Sequence, residues 1–521
     1  MKKIISGLFF AILLLVMASC SRDTSQEGVV RILFNGTKPD GFELVYEEFL
    51  RRTQDTLNIR LAFTFVPPHE YRERLASELR SRRNNYDLVF DAPRLTLREF
   101  AAQGKYADLG ALICFDTYPS FIQVLPPEVR TANLVNGRMY NIPLFRRYGN
   151  GIPVVFYRQD WADEWGIGTI DSFEKLEAYW QAARDRDILP LFLRRDAGFG
   201  TFLTFAGHHT EAVRVGIRGF TLANLVIMVH VKDGAIAAVA PVGAGDAAFA
   251  EFPPPFNRDF AMDRFEQFAR WREQGFVSEN SMTDTEGFFW AGESASAFGF
   301  LGDEFAMLTL MIDPDARIGK FVFDNDIRNL RPASMPNCLI MNNGLAIPSR
   351  SNRKNDTVRF LNWLFASKEN NTLFDLGIEG IHHTINEDGT FHALTDYPLL
   401  WPGNSLNWNP QFTVLSELIP PEDRPFYKHE LQLSSILWLP IRGFLFDDSD
   451  PYVRANVASV SEVSQRARLP LFHGIPNDGN RVFNSVTEMK RSNIEECYNA
   501  GLQQLKDTLV RQLNEHLRRV N

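Results

Sequence analysis

Between Val29 and Asp91 the chain alternates apolar strands with amphipathic helices, and this order is the strongest constraint on its fold. Val29 to Asn35 reads as a buried strand, and Gly36 to Gly41 as a turn. From Phe42 to Arg52 the spacing is helical, with Leu44, Val45, Tyr46 and Phe49 on one side. Ile59, Leu61, Phe63 and Phe65 alternate strictly with other residues, as a half-buried strand does. A charged helix follows over Glu70 to Arg83, and a short apolar strand runs from Tyr86 to Phe90. Strands joined through helices pair in parallel, in an α/β sheet covered on both faces. Ligands of such sheets bind beyond the carboxyl ends of the strands. Here those ends are the polar loops Asn35-Gly36-Thr37-Lys38 and Asp91-Ala92-Pro93-Arg94.

The remaining chain supplies more of the same elements. Pro153 to Tyr157 reads as a strand leaving the first lobe, preceded by the flexible Tyr148-Gly149-Asn150-Gly151. Helices are expected over Ser172 to Arg186, Met262 to Gly275 and Asp356 to Phe365, and an apolar strand over Cys338 to Ile347. Ala235 to Pro255, rich in Ala, Gly and Pro, is expected to be an irregular excursion. Leu502, Leu505, Leu509, Leu513 and Leu517 form a stripe at helical spacing, which predicts a long terminal helix packed on the body. With 521 residues the chain has room for two or three domains or two large lobes.

The first twenty residues speak to compartment. Lys2 and Lys3 precede an apolar run from Leu8 to Met17, too short for a bilayer span of ~20 residues. Such a run matches the apolar region of a secretory leader. It ends in Met17-Ala18-Ser19-Cys20, which resembles a bacterial lipobox. Residues 1–19 are therefore expected to be removed, Cys20 to carry lipid, and residues 20–28 to act as a tether. An ordinary cleavable signal with an incidental cysteine is the alternative. Cys114, Cys338 and Cys497 are odd in number and unrelated in spacing, so three buried thiols are expected rather than a disulfide framework, with a single bridge as the alternative. Asp and Glu outnumber Lys and Arg by 64 to 55, with no long basic run, which argues against a nucleic-acid partner.

Motifs of covalent chemistry are missing. The sequence holds no Gly-x-Ser-x-Gly elbow, Walker loop, His-Glu-x-x-His or Cys-x-x-Cys. Gly243 to Ala248 matches a dinucleotide loop only loosely, and Pro253-Pro254-Pro255 leaves no room for the helix that loop requires. Asp324-Asn325-Asp326 opens like a calcium loop but lacks glycine at the sixth place and an acid at the twelfth. His208-His209 and His382-His383 are adjacent, so their side chains diverge, and loop or core roles are expected. No catalytic residue, metal or cofactor is expected.

Several short motifs recur in a telling order. After the Asn35 loop come Tyr86-Asp87-Leu88-Val89-Phe90, Gly104-Lys105-Tyr106-Ala107-Asp108-Leu109, and Asn136-Gly137-Arg138-Met139-Tyr140-Asn141-Ile142-Pro143. Val155 to Asp160, Phe289 to Ala295 and Asn343 to Pro348 follow, then Gly377-Ile378-Glu379-Gly380, Trp401-Pro402-Gly403-Asn404 and Gly443 to Asp447. In this order and spacing the chain resembles the extracellular solute-binding proteins of bacterial ABC importers. The likeness is to the sugar-binding branch that includes maltose-binding protein, and within it to the larger LplA-type lipoproteins.

The resemblance implies an α/β, two-lobe periplasmic-binding-protein-like fold of type II. Each lobe would be a mixed, mainly parallel sheet flanked by helices, with an enlarged helical C-terminal part. Residues 29–150 plus about 338–392 would form the N-terminal lobe, and about 151–337 plus 393–521 the C-terminal lobe. A carbohydrate, in the first instance an oligosaccharide, would be held between lobes that close by hinge bending. The implied partners are the permease subunits of an ABC transporter and, through the lipid, the extracytoplasmic face of a membrane. The protein would act as a monomer and not as an enzyme. A ligand sensor on the same fold and a surface glycan-acting enzyme are the other readings.

Sugars offer hydroxyl arrays and apolar ring faces, so their binders use polar planar groups and aromatic platforms. By position in the family's cleft loops the candidates are Asn35, Thr37 and Lys38, then Asp91 and Arg94, then Arg146, Tyr148 and Asn150. In the second lobe they are Phe300 and Asp303. Trp401 and Trp408 with Asn404, Asn407 and Asn409 form a polar-aromatic cluster. It reads either as a stacking platform or as packed tryptophans capped by Asn side chains. Lys38 and Arg94 read equally as solvated loop charges, and Trp290 as core.

Overall fold

The computed structural model describes residues 28–83, 85–194, 210–277, 282–283, 287–302 and 305–520. Residues 1–27, where a leader and a lipid-bearing Cys20 are expected, and His208, His209 and Asp303 lie outside the described residues.

The first sheet has the order β2-β1-β3-β14-β4. Strand β1 (Gly28–Asn35) pairs in parallel with β2 (Ile59–Val66) and with β3 (Leu88–Phe90), placing Val30 opposite Leu61 and Ile32 opposite Leu88. Helices α1 (Phe42–Thr53) and α2 (Pro68–Arg80) make the crossovers that parallel pairing requires. The chain returns much later as β14 (Gly344–Ala346), antiparallel to β3 and to β4 (Asn141–Pro143). Alternation along β1 sorts the two faces. Ile32 and Phe34 pack with Val45 and Phe49 of α1 and with Phe360 and Leu361 of α8 (Lys354–Leu364). Leu33 faces Tyr71, Leu75 and Leu79 of α2. Leu44, expected inside, is 49% exposed, so the buried stripe of α1 is narrower than its apolar residues suggest.

The second sheet repeats the plan in the order β10-β6-β11-β5-β12. Strands β6 (Leu189–Arg194), β10 (Met282–Thr283) and β11 (Ser294–Phe300) pair in parallel, while β5 (Pro153–Arg158) runs antiparallel to β11 and to β12 (Ile318–Val322). The side chain of Ser172 accepts from the Lys175 N–H and starts α5 (Phe173–Arg184). Trp180 of α5 meets Trp271 of α6 (Met262–Glu273) edge to face, with ring centroids 4.9 Å apart.

Among the described residues three chain crossings join the lobes, near residues 144–152, 336–343 and 418–423. The apolar stretch from Cys338 to Ile347, expected to be one strand, is instead a crossing followed by β14. It is preceded by β13 (Met335–Asn337), which pairs in parallel with β17 (Ile436–Trp438). Phe145, Tyr148, Ile152, Met335, Leu339 and Ile436 make a common core at these crossings. A small hairpin, β15 (His383–Ile385) with β16 (Phe391–Ala393), precedes the third crossing. There His382 and His383 are buried, and the Ile378 N–H donates to His382 Nδ1 at 3.0 Å.

A third layer enlarges the second lobe. Strands β7 (Ile217–Leu222), β8 (Leu225–Lys232) and β9 (Ala235–Pro241) form an antiparallel meander. Helices α10 (Pro451–Phe472), α11 (Val486–Asn499) and α12 (Leu502–Val520) cover it. The leucine stripe of α12 is buried against Ile227 and Val229 of β8, as its spacing predicts.

Several expectations need correction. Residues 235–255 are not an irregular excursion: they hold β9 and the buried Phe249 and Phe252. The alternation of β9 rests on small alanines, whose contrast with their neighbours is too weak to read. Tyr397, Trp401, Leu406 and Phe412 pack in the first-lobe core, so that lobe continues past residue 392. Cys114 is exposed while Cys338 and Cys497 are buried, and all three are free thiols. No described helix is long and apolar enough to cross a membrane.

Candidate ligand cleft

The loop after Tyr397–Leu400 separates the two tryptophans by environment. Trp401 is 5% exposed and lies parallel to Phe42 and Tyr397, each with its centroid 6.0 Å away. It is a wall of the first-lobe core. Trp408 is half-buried, and the Arg146 guanidinium lies 5.5 Å from its ring centroid, within cation–π range. Asn407 and Asn371 exchange bonds from each amide to the other's backbone carbonyl, at 2.8 and 2.9 Å. Asn409 donates to the Val124 carbonyl. The asparagines are caps, and Trp408 is the available ring face.

Gly403 sets the chemistry beneath that face. A Cβ there would lie 2.4 Å from Trp408 Nε1 and 2.6 Å from Asp375 Oδ1, so only glycine lets the indole N–H and the carboxylate come so close. Among the described residues no donor bonds the Asp375 carboxylate. Burial pushes its carboxyl up, and the Arg146 charge opposes that shift. The Tyr397 hydroxyl and Trp401 Nε1 are buried without a partner. Buried polar groups in native proteins nearly always have partners, so such a cluster calls for an explanation.

Asp375 and Trp401, with Trp408 and Arg146, border a cavity of about 960 Å³ between the lobes. The first lobe contributes Arg146, Asp375, Trp401 and Trp408, and the second lobe Gly302, Leu310, Met311 and Lys320. Asp423 and Tyr427, by and on α9 (Arg424–Glu430), complete it. Lys320 and Asp423 form a nearly buried ion pair. Burial raises the Asp423 carboxyl, with Lys320 opposing, and pushes the Tyr427 hydroxyl up to about 12.

A second, smaller pocket of about 260 Å³ lies at the carboxyl ends of β1 and β3, bordered by Asn35, Arg72, Asp91, Asn342, Asn343 and Asn404. Asn35 Oδ1 is buried without a partner, while its backbone carbonyl accepts from Ser405 Oγ at 2.6 Å. Asp91 is committed elsewhere. It accepts from the Ala92 and Thr96 N–H groups, the Thr96 hydroxyl and the Tyr106 hydroxyl, and so anchors the loop after β3. Burial raises its carboxyl against those bonds.

The expected site residues thus divide. Arg146, Trp401 and Trp408 meet at the larger cavity, and Asn35, Asp91 and Asn404 at the smaller. Thr37 is exposed, and Lys38 pairs with Glu43. Arg94 donates to the Ile340 carbonyl, and Asn150 Oδ1 accepts from Asn337. Tyr148 is 4% exposed in the crossing core, where burial pushes its hydroxyl up to about 12. Phe300 is half-buried beside Gly151. None of these six borders either cavity. Asp375, Lys320, Asp423 and Tyr427 were not foreseen, because nothing local distinguishes them from other charged or aromatic residues. Among the described residues no group of three or more His, Cys, Asp or Glu side chains is placed to hold a metal.

No family model and no curated protein matches the sequence. Solved structures do. The N-glycan transport solute binding protein of Streptococcus pneumoniae overlays with TM-score 0.67 and 15% identity, covering 95% of this chain and 100% of that one. The same protein in complex with Man1GlcNAc overlays at 0.55 and 16% identity, over 94% and 100%. An HMO-binding, ABC-transporter-associated solute binding protein from Bifidobacterium longum infantis gives 0.62 and 13%, over 94% and 99%. Two sheets with the same strand plan, joined by three crossings, and these full-length overlays lead to one conclusion: the chain has the two-lobe fold of ABC-transporter solute-binding proteins.

Proposed function

We propose that this chain is an extracytoplasmic receptor that captures a carbohydrate between its lobes and hands it to the permease of an ABC importer, held at the membrane by lipid on Cys20. The observation that carries the reading is the cleft floor. There the Trp408 face lies under Arg146, at a wall shared with the Asp375 carboxylate and the Trp401 indole N–H, neither of which bonds a described residue. Sugar hydroxyls both donate and accept, so they can satisfy these groups, and a sugar ring face matches the half-exposed indole. Both lobes border the cavity, so a ligand touching both favours the closed arrangement. The smaller pocket lies across the 401–408 loop, which supports an extended ligand such as an oligosaccharide. The likeness of fold to N-glycan and HMO binders supports the same class. Lipid anchoring and delivery to a permease rest on the Met17-Ala18-Ser19-Cys20 motif and on the fold.

A thermal-shift screen against mono- and oligosaccharides tests the reading, using residues 28–521, which contain every described element. A ligand at ~100 times its dissociation constant adds ~2.7 kcal/mol of stability. One glycan class should raise the melting temperature, and Trp408→Ala with Arg146→Ala should remove the rise. No rise with any glycan, or an equal rise in the variant, overturns the carbohydrate assignment.

A further inference from the structure

The mouth of the larger cavity does not match its floor. The buried lining mixes polar and aromatic groups with the aliphatic Leu376 and Val414, and Arg146 reaches the surface, whereas the other exposed side chains that border the cavity are large and apolar: Leu310 (43% exposed), Met311 (73%), Leu399 (66%) and Leu418 (71%). They come from three separate segments. Leu310 and Met311 lie on α7 (Phe305–Ile312) of the second lobe, Leu399 on the short helix before Trp401 in the first lobe, and Leu418 on the third crossing. Scattered exposed leucines need no explanation, but a cluster facing one cavity from both lobes does. Aliphatic side chains have neither donors nor acceptors for hydroxyls, and no flat face to lay against a sugar ring. The polar groups at the floor and the aliphatic groups at the mouth border the same continuous space, so an occupant that fills it touches both.

Building on the carbohydrate reading, we propose that the ligand is amphiphilic: a glycan carrying an aliphatic acyl or alkyl group. The sugar sits against Trp408, Arg146 and Asp375, and the aliphatic group lies between Met311 and Leu399. Burial of each methylene strengthens binding about fourfold, so even a short chain contributes strongly to affinity.

The test uses N-phenyl-1-naphthylamine, an uncharged dye that fluoresces in apolar surroundings, titrated into residues 28–521 and into the Met311→Ser/Leu399→Ser variant. Both positions are well exposed, so the fold tolerates the change. The expected result is saturable binding of one dye per chain, weakened at least tenfold in the variant. No saturable binding, or equal affinity in the variant, overturns the proposal. A second arm compares the methyl and hexyl glycosides of whichever sugar the melting screen selects. The hexyl form should bind at least tenfold more tightly, and equal affinities also overturn the proposal. If glycans bind but neither arm succeeds, the amphiphile fails alone. If the dye binds and no glycan does, the carbohydrate reading fails and the amphiphilic glycan fails with it.

Discussion

Trp401 and Trp408 are seven residues apart and indistinguishable by type, yet burial assigns them different work. Trp401→Ala removes a ring packed among Phe34, Phe42 and Tyr397 and should cost ~3–5 kcal/mol of stability, measured by urea unfolding. Trp408→Ala should leave the unfolding midpoint nearly unchanged and weaken ligand binding at least tenfold. Asp91 follows the first pattern. Asp91→Ala leaves four donors unpaired, and the expected result is lost stability rather than a specific loss of affinity. Asp259 gives a pH signature. Burial pushes its carboxyl up to about 6, against bonds from the Gly245 and Gly243 N–H groups. An unfolded aspartate titrates near ~3.9. The native state therefore binds more protons between those values, and its stability rises as pH falls through about 6. Relative to Asp259→Asn, the native chain should gain up to about 3 kcal/mol between pH 7 and pH 4 in paired urea titrations.

At the level of elements, the 401–412 loop holds the cleft together. Gly403 leaves room for both Trp408 Nε1 and Asp375 Oδ1, so Gly403→Ala must displace both. The expected outcome is a tenfold or greater loss of ligand affinity with a smaller loss of stability, read by calorimetry and thermal melting. Normal affinity would show that this juxtaposition does not matter. Some elements were legible because their own residues carry the pattern. The strands β1 and β2 alternate strongly, and the α12 stripe recurs every three or four residues. Strand β9 was not legible, since alternating alanines contrast too little with the residues between them. Residues 397–412 were assigned to the wrong lobe, because which core a tryptophan joins is decided by chain far away in sequence, here Phe42 and Phe374.

At the scale of the molecule, the described residues form two five-stranded sheets of the same plan, with a third layer on one of them, joined where three segments cross. A ligand that contacts both walls of the cavity should draw the lobes together, and small-angle scattering should show a smaller radius of gyration on saturation. An unchanged radius would mean that the ligand is held by one lobe. What the sequence alone determined was local: strand–helix alternation that demands parallel pairing, and a terminal leucine helix. The tertiary structure decided which polar and aromatic residues share a cavity. Period and composition state whether a side chain prefers burial, but its partner is set by packing between distant segments. Asp91 thus became a loop anchor, Lys38 a surface ion-pair partner, and Asp375, which no motif marks, the carboxylate beneath Trp408.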